Sequence, residues 1–308
     1  MNQCSVNQSS INQGLTKCFI WLALIVLPSW AVAKPLVVGI TLHPYYSYTA
    51  QVVGDRATLL PLIASGFNPH NYELQPSDIQ RLSSMDALVL NAIGHDEFAV
   101  HALEGLDLPN LTVINANKDV PLLSSGSGNA NYNPHSFVSI DAAIRQVYTL
   151  AKELGRLDPN NASYFQQNAL RYARELRQLK NTYRSKLLDV NLSGVRIAST
   201  HNAYGYLLQE FGIGVDTVIE PAHGVEPSAS QLQATIQRIN DANIQVLFTE
   251  LDMDNRYVDV IEAATGIQIY HFSHMTHGDY DADQVIREME HNLSTLVEAL
   301  TLAAKANS

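Results

Sequence analysis

The chain predicts an α/β protein built as two parallel-sheet lobes joined by one long helix. Three observations predict it. Six short apolar runs rich in β-branched residues are spread along the chain, with helical stretches between most of them. That alternation is the pattern of parallel sheets connected by crossover helices. One stretch in the middle carries no strand signal at all. The runs on either side of it therefore divide into two halves, residues 34–157 and 191–308, with 158–190 as the connector.

In order, the first run is Leu36 to Leu42, continuous enough for a strand buried on both faces. Ala87 to Asn91 and Leu111 to Asn115 follow in the same half. Ser77 with Gln80 reads as a capping box that opens a short helix between them. From Ser139 a helix runs to about Gly155. Asp158-Pro159 then opens a second helix at a position that tolerates proline, and Asn160 to Asp189 would extend roughly 45 Å as one helix. Such a helix reads as a strut between lobes, or else as one arm of a hairpin packed on one lobe. The second half brings Val195 to Ser199, Gln245 to Thr249 and Ile267 to Phe272. Between these runs Ser228 with Gln231 makes a second capping box, for a helix to about Asn243. Asp281 or Asp283 caps a long final helix through Leu300. The loop from Leu123 to Asn133 is polar and glycine-containing, and it has no histidine.

Residues 1–33 have the pattern of a cleaved signal peptide. Lys17 precedes an apolar stretch from Cys18 to Leu27, too short to span a bilayer, and Ala31-Val32-Ala33 is a small-x-small cleavage site. The expected mature chain of 275 residues (308 minus 33) is exported to the periplasm and soluble. Both cysteines, Cys4 and Cys18, fall in the removed segment, so a thiolate site or a disulfide is excluded in the mature protein. Loss of Lys17 takes the net charge from −11 to −12. An acidic chain argues against nucleic acid and mildly favours cations.

The triplet Asn68-Pro69-His70 recurs as Asn133-Pro134-His135, and Thr200-His201-Asn202 follows a strand-like run. The three histidines are 65 and 66 residues apart, so only the fold can unite them. Proline stiffens each triplet, and stiff turns carrying imidazoles suit a preorganised metal site. Ligands in open α/β sheets sit beyond the carboxyl ends of strands, where His43, His201, Glu250 and His274 lie. With no thiol available, imidazole and carboxylate must hold any ion, which favours Zn2+, or Mn2+ if carboxylates dominate. The expected metal ligands are His70, His135, His201 and His274, with His277 and Asp279 as alternatives for the fourth. Glu250 and His43 are expected behind the ligands, Glu250 supplying the negative charge that four neutral imidazoles lack. A capping or salt-bridge role for Glu250, and plain burial for His43, stay open beside this. His271 reads as packed within its strand, His101 and His291 as solvated helix residues, His95 as a helix cap or a rim residue, and His223 as a loop residue that could touch arriving metal.

Several segments together resemble a known family. They are Val53-Gly54-Asp55, Gly66 through Glu73, Pro76-Ser77-Asp78, Asn133 through Phe137, Thr200 through Tyr206 and Val225-Glu226-Pro227-Ser228. In this order they are similar to the zinc/manganese-binding proteins of bacterial metal ABC importers, the TroA/ZnuA-like family, over essentially the whole mature chain. The resemblance implies two lobes joined by a rigid helix and metal between them, with the first three ligand motifs on His70, His135 and His201. Histidine as third ligand resembles the zinc-preferring members. The chain departs from the family at Ser273-His274, where the fourth ligand is usually Asp, and it lacks a His-rich acidic loop before His135. The implied function is capture of a divalent ion, Zn2+ before Mn2+, by a monomer that delivers it to an inner-membrane permease. A metal-chelate binder, a surface adhesin and a three-histidine zinc hydrolase with Glu250 as base are the alternatives. His-Glu-x-x-His and a nucleophile elbow are both absent from the sequence.

Overall fold

The structure is a computed structural model, and it describes residues 1, 34–64, 72–125, 132–220, 225–251 and 256–307. The chain divides into Met1–Lys34 and Pro35–Ser308. The expected signal peptide, apart from Met1, lies outside the described residues, as do His70 and His223. All that follows concerns the second unit.

That unit holds two four-stranded, all-parallel sheets. In the first, β1 (Leu36–Ile40), β2 (Ala57–Pro61), β3 (Ala87–Leu90) and β4 (Thr112–Asn115) lie in the order β2-β1-β3-β4. In the second, β5 (Ile197–Ser199), β6 (Thr217–Val218), β7 (Val246–Glu250) and β8 (Gln268–Phe272) lie in the order β6-β5-β7-β8. Both sheets therefore wind alike: second strand, first, third, fourth. Every residue of β3 and β7 is buried, as continuous apolar runs require at the centre of a parallel sheet.

The helices are α1 (His43–Val53), α2 (Pro76–Leu82), α3 (Glu97–Gly105), α4 (Ile140–Leu157), α5 (Ala162–Ser185), α6 (Gly205–Glu210), α7 (Ala229–Asp241), α8 (Arg256–Thr265) and α9 (Gln284–Ala306). A short 3-10 turn, Ser136–Val138, precedes α4. Ser228 caps α7 with Gln231 completing the box. α2 starts two residues earlier than Ser77 and Gln80 suggest. Its box is made by Gln75 and Asp78, with Pro76 at the first helical position, where its missing N–H costs nothing.

The middle of the chain is both strut and hairpin. α5 has 24 residues, about 36 Å at 1.5 Å per residue, and begins at Ala162 rather than at Pro159. It folds back on α4, where Gly155 leaves room for Ala162, and it also packs on α1 of the first lobe and on α9 of the second. One hydrophobic core runs through all of this. It joins Val38, Ile40 and Val89 of the first sheet to Ala173 and Leu176 of α5 and to Phe248, Phe272 and Leu296 of the second lobe. Smaller clusters sit on the outer faces, one around Leu82 and Leu88, the other around Ile239 and Ile261. Among the described residues no helix is long and apolar enough to cross a membrane.

Candidate metal centre

The carboxyl ends of both sheets meet, and histidines from both lobes converge there. Two trios of donor groups have ligand atoms within 4.8 Å of one another: His95, His135 and His274, and His201, Glu250 and His274. His274 belongs to both. All five residues are buried. His201 Nε2 and His274 Nε2 lie 3.4 and 3.7 Å from Glu250 Oε1. Two ligands bound tetrahedrally at about 2.05 Å stand roughly 3.3 Å apart, so these atoms are spaced for a shared ion with little movement. The ring centroids of His135 are 5.2 Å from His201 and 5.0 Å from His274. Phe137 forms an apolar wall against His95 and His274 at 5.5 and 5.7 Å.

Each imidazole is held by specific chemistry. Asn133 Oδ1 accepts from the His135 backbone N–H at 3.0 Å and from its Nδ1–H at 2.8 Å, which leaves Nε2 facing the pocket. His274 Nδ1 is hydrogen-bonded to Thr276 Oγ1 at 2.8 Å, again aiming Nε2 inward. Its segment is gripped at two points by Asn292 on α9, which accepts from Ser273 N at 2.7 Å and donates to Ser273 O at 2.9 Å. Met275 follows with φ +64°, a left-handed conformation that costs energy in a non-glycine residue and occurs beside functional groups. His201 comes directly off β5, with its carbonyl accepting from Ser199 Oγ at 2.5 Å.

His95, which reads from the sequence as a helix cap or a rim residue, lies among these donors. It does not cap α3, whose N-cap position is Asp96. It is 3% exposed and left-handed (φ +71°), and its ring is 4.5 Å from that of His135. Buried Asp96 holds this corner by accepting from Asn91 N at 2.5 Å, Ala92 N at 3.1 Å and Thr41 Oγ1 at 3.0 Å. Burial pushes the Asp96 carboxyl up to about 7. Asn91, at the end of β3, donates to Gly94 O at 2.7 Å and to Pro134 O at 2.9 Å, so one amide fixes the residues preceding both His95 and His135. Asn117 donates to Asn91 Oδ1 at 2.8 Å and accepts from Ser136 Oγ at 2.6 Å, extending this support past His135. The signal for His95 was the glycine before it. Gly94 has φ +127°, and a β-carbon there would lie 2.7 Å from Pro134 Cβ, so the two histidine loops touch through a contact only glycine permits.

Glu250 stands in the ring of donor atoms rather than behind it. The register makes its place intelligible. Ile40 pairs with Val89 and Ser199 with Phe248, and two residues further on lie Asn91 and Glu250 respectively. His43 is buried, but against the seam between lobes. Its Nε2 lies 3.0 Å from Gly278 O, and its ring stacks on Tyr280 at 4.0 Å. Burial, aided by nearby His277, lowers its pKa to about 4. His277 and Asp279 belong to neither trio. His271 is exposed, its carbonyl accepting from the exposed His291 on α9 at 3.1 Å, and His101 is exposed on α3.

Residues 38–299 match the family model described as "Zinc-uptake complex component A periplasmic". The chain is 46% identical to the substrate-binding protein FpvC of Pseudomonas aeruginosa, solved in complex with Ni2+. That likeness covers 88% of this chain and 98% of FpvC, with a TM-score of 0.83. FpvC has also been solved with Mn2+. The high-affinity zinc uptake system protein ZnuA of Bacillus subtilis is 24% identical over 238 residues, 73% of this chain and 74% of that protein. The manganese ABC transporter substrate-binding lipoprotein PsaA of Streptococcus mitis is 22% identical over 262 residues, 82% and 85% of the two chains. Two lobes closing on a histidine-rich pocket, and a match along nearly the whole fold, converge on one conclusion: this chain belongs to the zinc-uptake component A family, the metal-binding solute-binding proteins of ABC importers.

Proposed function

We propose that the protein captures a divalent transition metal ion outside the inner membrane and hands it, as a monomer, to an ABC permease, with Zn2+ the preferred cargo and Mn2+ the alternative. The observation that carries this reading is the pair of donor trios sharing His274. Imidazole donors suit zinc, nickel, copper and iron, whereas manganese favours oxygen ligands, and Glu250 is the one carboxylate in the two trios. His135, His201 and His274 act as ligands. Glu250 and His95 stand close enough to join them, and His70 completes the set on the strength of its repeated triplet. Donor atoms within 4.8 Å of one another suit a bare ion better than an ion wrapped in an organic chelator. Delivery outside the inner membrane follows from the signal-peptide pattern of residues 1–33.

The test is competition of zinc against manganese on the metal-stripped mature protein and its variants. Wild type is expected to bind one zinc ion, at least about a hundredfold more tightly than manganese. His274→Ala removes a donor from both trios and should weaken zinc by about a hundredfold or more, while His277→Ala stays near wild type. Absence of near-stoichiometric zinc binding, or tighter binding of manganese, overturns the reading.

A further inference from the structure

The bond that sets the His135 ring starts in the other lobe. Asn133 is 2% exposed, and its side-chain amide is used at both ends. Nδ2 donates to the carbonyl of Asn202 at 2.7 Å, while Oδ1 accepts from His135 Nδ1 at 2.8 Å. A carboxamide has one oxygen and one NH2, so the two bonds are not independent. The Asn202 carbonyl can only accept, so the amide must turn its NH2 toward it. That presents oxygen to His135, and oxygen in turn requires the proton on Nδ1. The lone pair then resides on Nε2, and His135 belongs to the trio with His95 and His274. Asn202 is the residue after His201, so the backbone that carries a donor of the second lobe orients a donor of the first.

A second set of contacts holds the same seam. The Tyr206 hydroxyl donates to Asn133 O at 2.9 Å and accepts from Leu123 N at 2.9 Å. Below it, Glu210 at the end of α6 accepts from Asp141 N at 3.0 Å and from Ser139 Oγ, and it pairs with Lys180 of α5 at 3.0 Å. Ser139 lies four residues after His135, and α6 follows the His201 turn. The segments of these two histidines are thus tied to each other both above and below.

We propose that Asn133 is a positioning residue that relays the state of the lobe seam to His135, keeping the ring in its metal-competent tautomer before any ion arrives. The proposal deepens the metal-capture reading above and rests on His135 being a ligand. When the seam is intact, His135 presents Nε2 to the pocket. When Asn202 withdraws, only the His135 backbone N–H and ring still hold the amide oxygen, and the acceptor that selects the ring's tautomer is held less firmly. Breaking one interlobe hydrogen bond then weakens one metal ligand, which gives a docked permease a local way to promote release.

The test uses 15N-histidine-labelled, metal-free mature protein, with His135 identified by loss of its signals in His135→Gln. Wild-type His135 is expected as the Nδ1–H tautomer. In Asn133→Ala it should shift to a mixture enriched in the Nε2–H form, with zinc affinity falling about tenfold or more, the range typical of partners behind a metal ligand. Tyr206→Phe leaves every His135 contact in place and loosens only the seam. It should give a smaller shift in the same direction, and it carries the test alone if Asn133→Ala does not fold. An Nε2–H tautomer in wild type overturns the proposal. So does an Nδ1–H tautomer retained in Asn133→Ala or, if that variant does not fold, in Tyr206→Phe. The tautomer is read without metal, so this outcome is distinct from any failure of the protein to bind zinc.

Discussion

At the scale of single residues, Gly94 shows how one missing β-carbon shapes the pocket. Its left-handed φ and its contact with Pro134 bring the His95 turn against the His135 turn. Gly94→Ala is expected to destabilise the protein by about 1–3 kcal/mol, from strain and overlap together, and to weaken zinc binding. Denaturant unfolding alongside a zinc titration measures both, and an unchanged midpoint with unchanged affinity would contradict the role assigned to this contact. The legibility of the site follows the same logic. His135 and His201 were readable because proline, or a strand end, visibly stiffens their flanks. His95 was not, because Gly-His-Asp before an apolar run also describes a helix start, and the buried bonds of Asp96 that decide between the two come from Thr41 and Asn91, the former 55 residues away. Glu250 was legible as a strand end and as a charge beside the ligands, but its distance to His201 and His274 is a product of tertiary packing.

Among elements, the strands the sequence did not announce are β2 and β6, and they hold the same place, one edge of each sheet. Edge strands need not be continuous apolar runs. β2 has no fully buried residue and ends in proline, and β6 is two residues long. The α1 contact with the segment before α9 was equally hidden. There Ser47 donates to Asp281 O at 2.6 Å and Gln51 reaches Asp283 Oδ1 at 2.8 Å, while Tyr280 donates to Ile63 O just after β2 at 3.0 Å. His43 sits in this seam with its pKa lowered to about 4 from an ordinary 6.5. The unfolded chain therefore binds the proton first, and the His43 contribution to stability is lost as pH falls from about 6.5 toward 4, at about 1.4 kcal/mol per pH unit. His43→Gln can still donate to Gly278 O but does not titrate. Its stability should drop less than that of wild type between pH 7 and pH 4.5, by an amount on the order of 2 kcal/mol. The difference between the two proteins is the quantity to measure. Asp96, raised to about 7, acts in the opposite sense over the same range and is common to both. Parallel curves for the two proteins would show that His43 does not titrate as its burial requires.

For the whole molecule, the two-lobe architecture was legible from the spacing of apolar runs, but its unity was not. The core passes from one sheet through α5 into the other without a break. The lobes should accordingly melt together. Calorimetry of the metal-free mature protein is expected to give one transition with matching calorimetric and van't Hoff enthalpies, and two separated peaks would contradict a shared core. The repeated winding of the sheets has a different consequence. At corresponding steps at the end of the third strand, one half places an amide and the other an acid. Asn91 is spent on internal scaffolding, and Glu250 stands among the donor atoms of the pocket. On the function proposed above, cargo preference would be retuned by exchanging a single group on the second mouth, with the scaffolding of the first left as it stands.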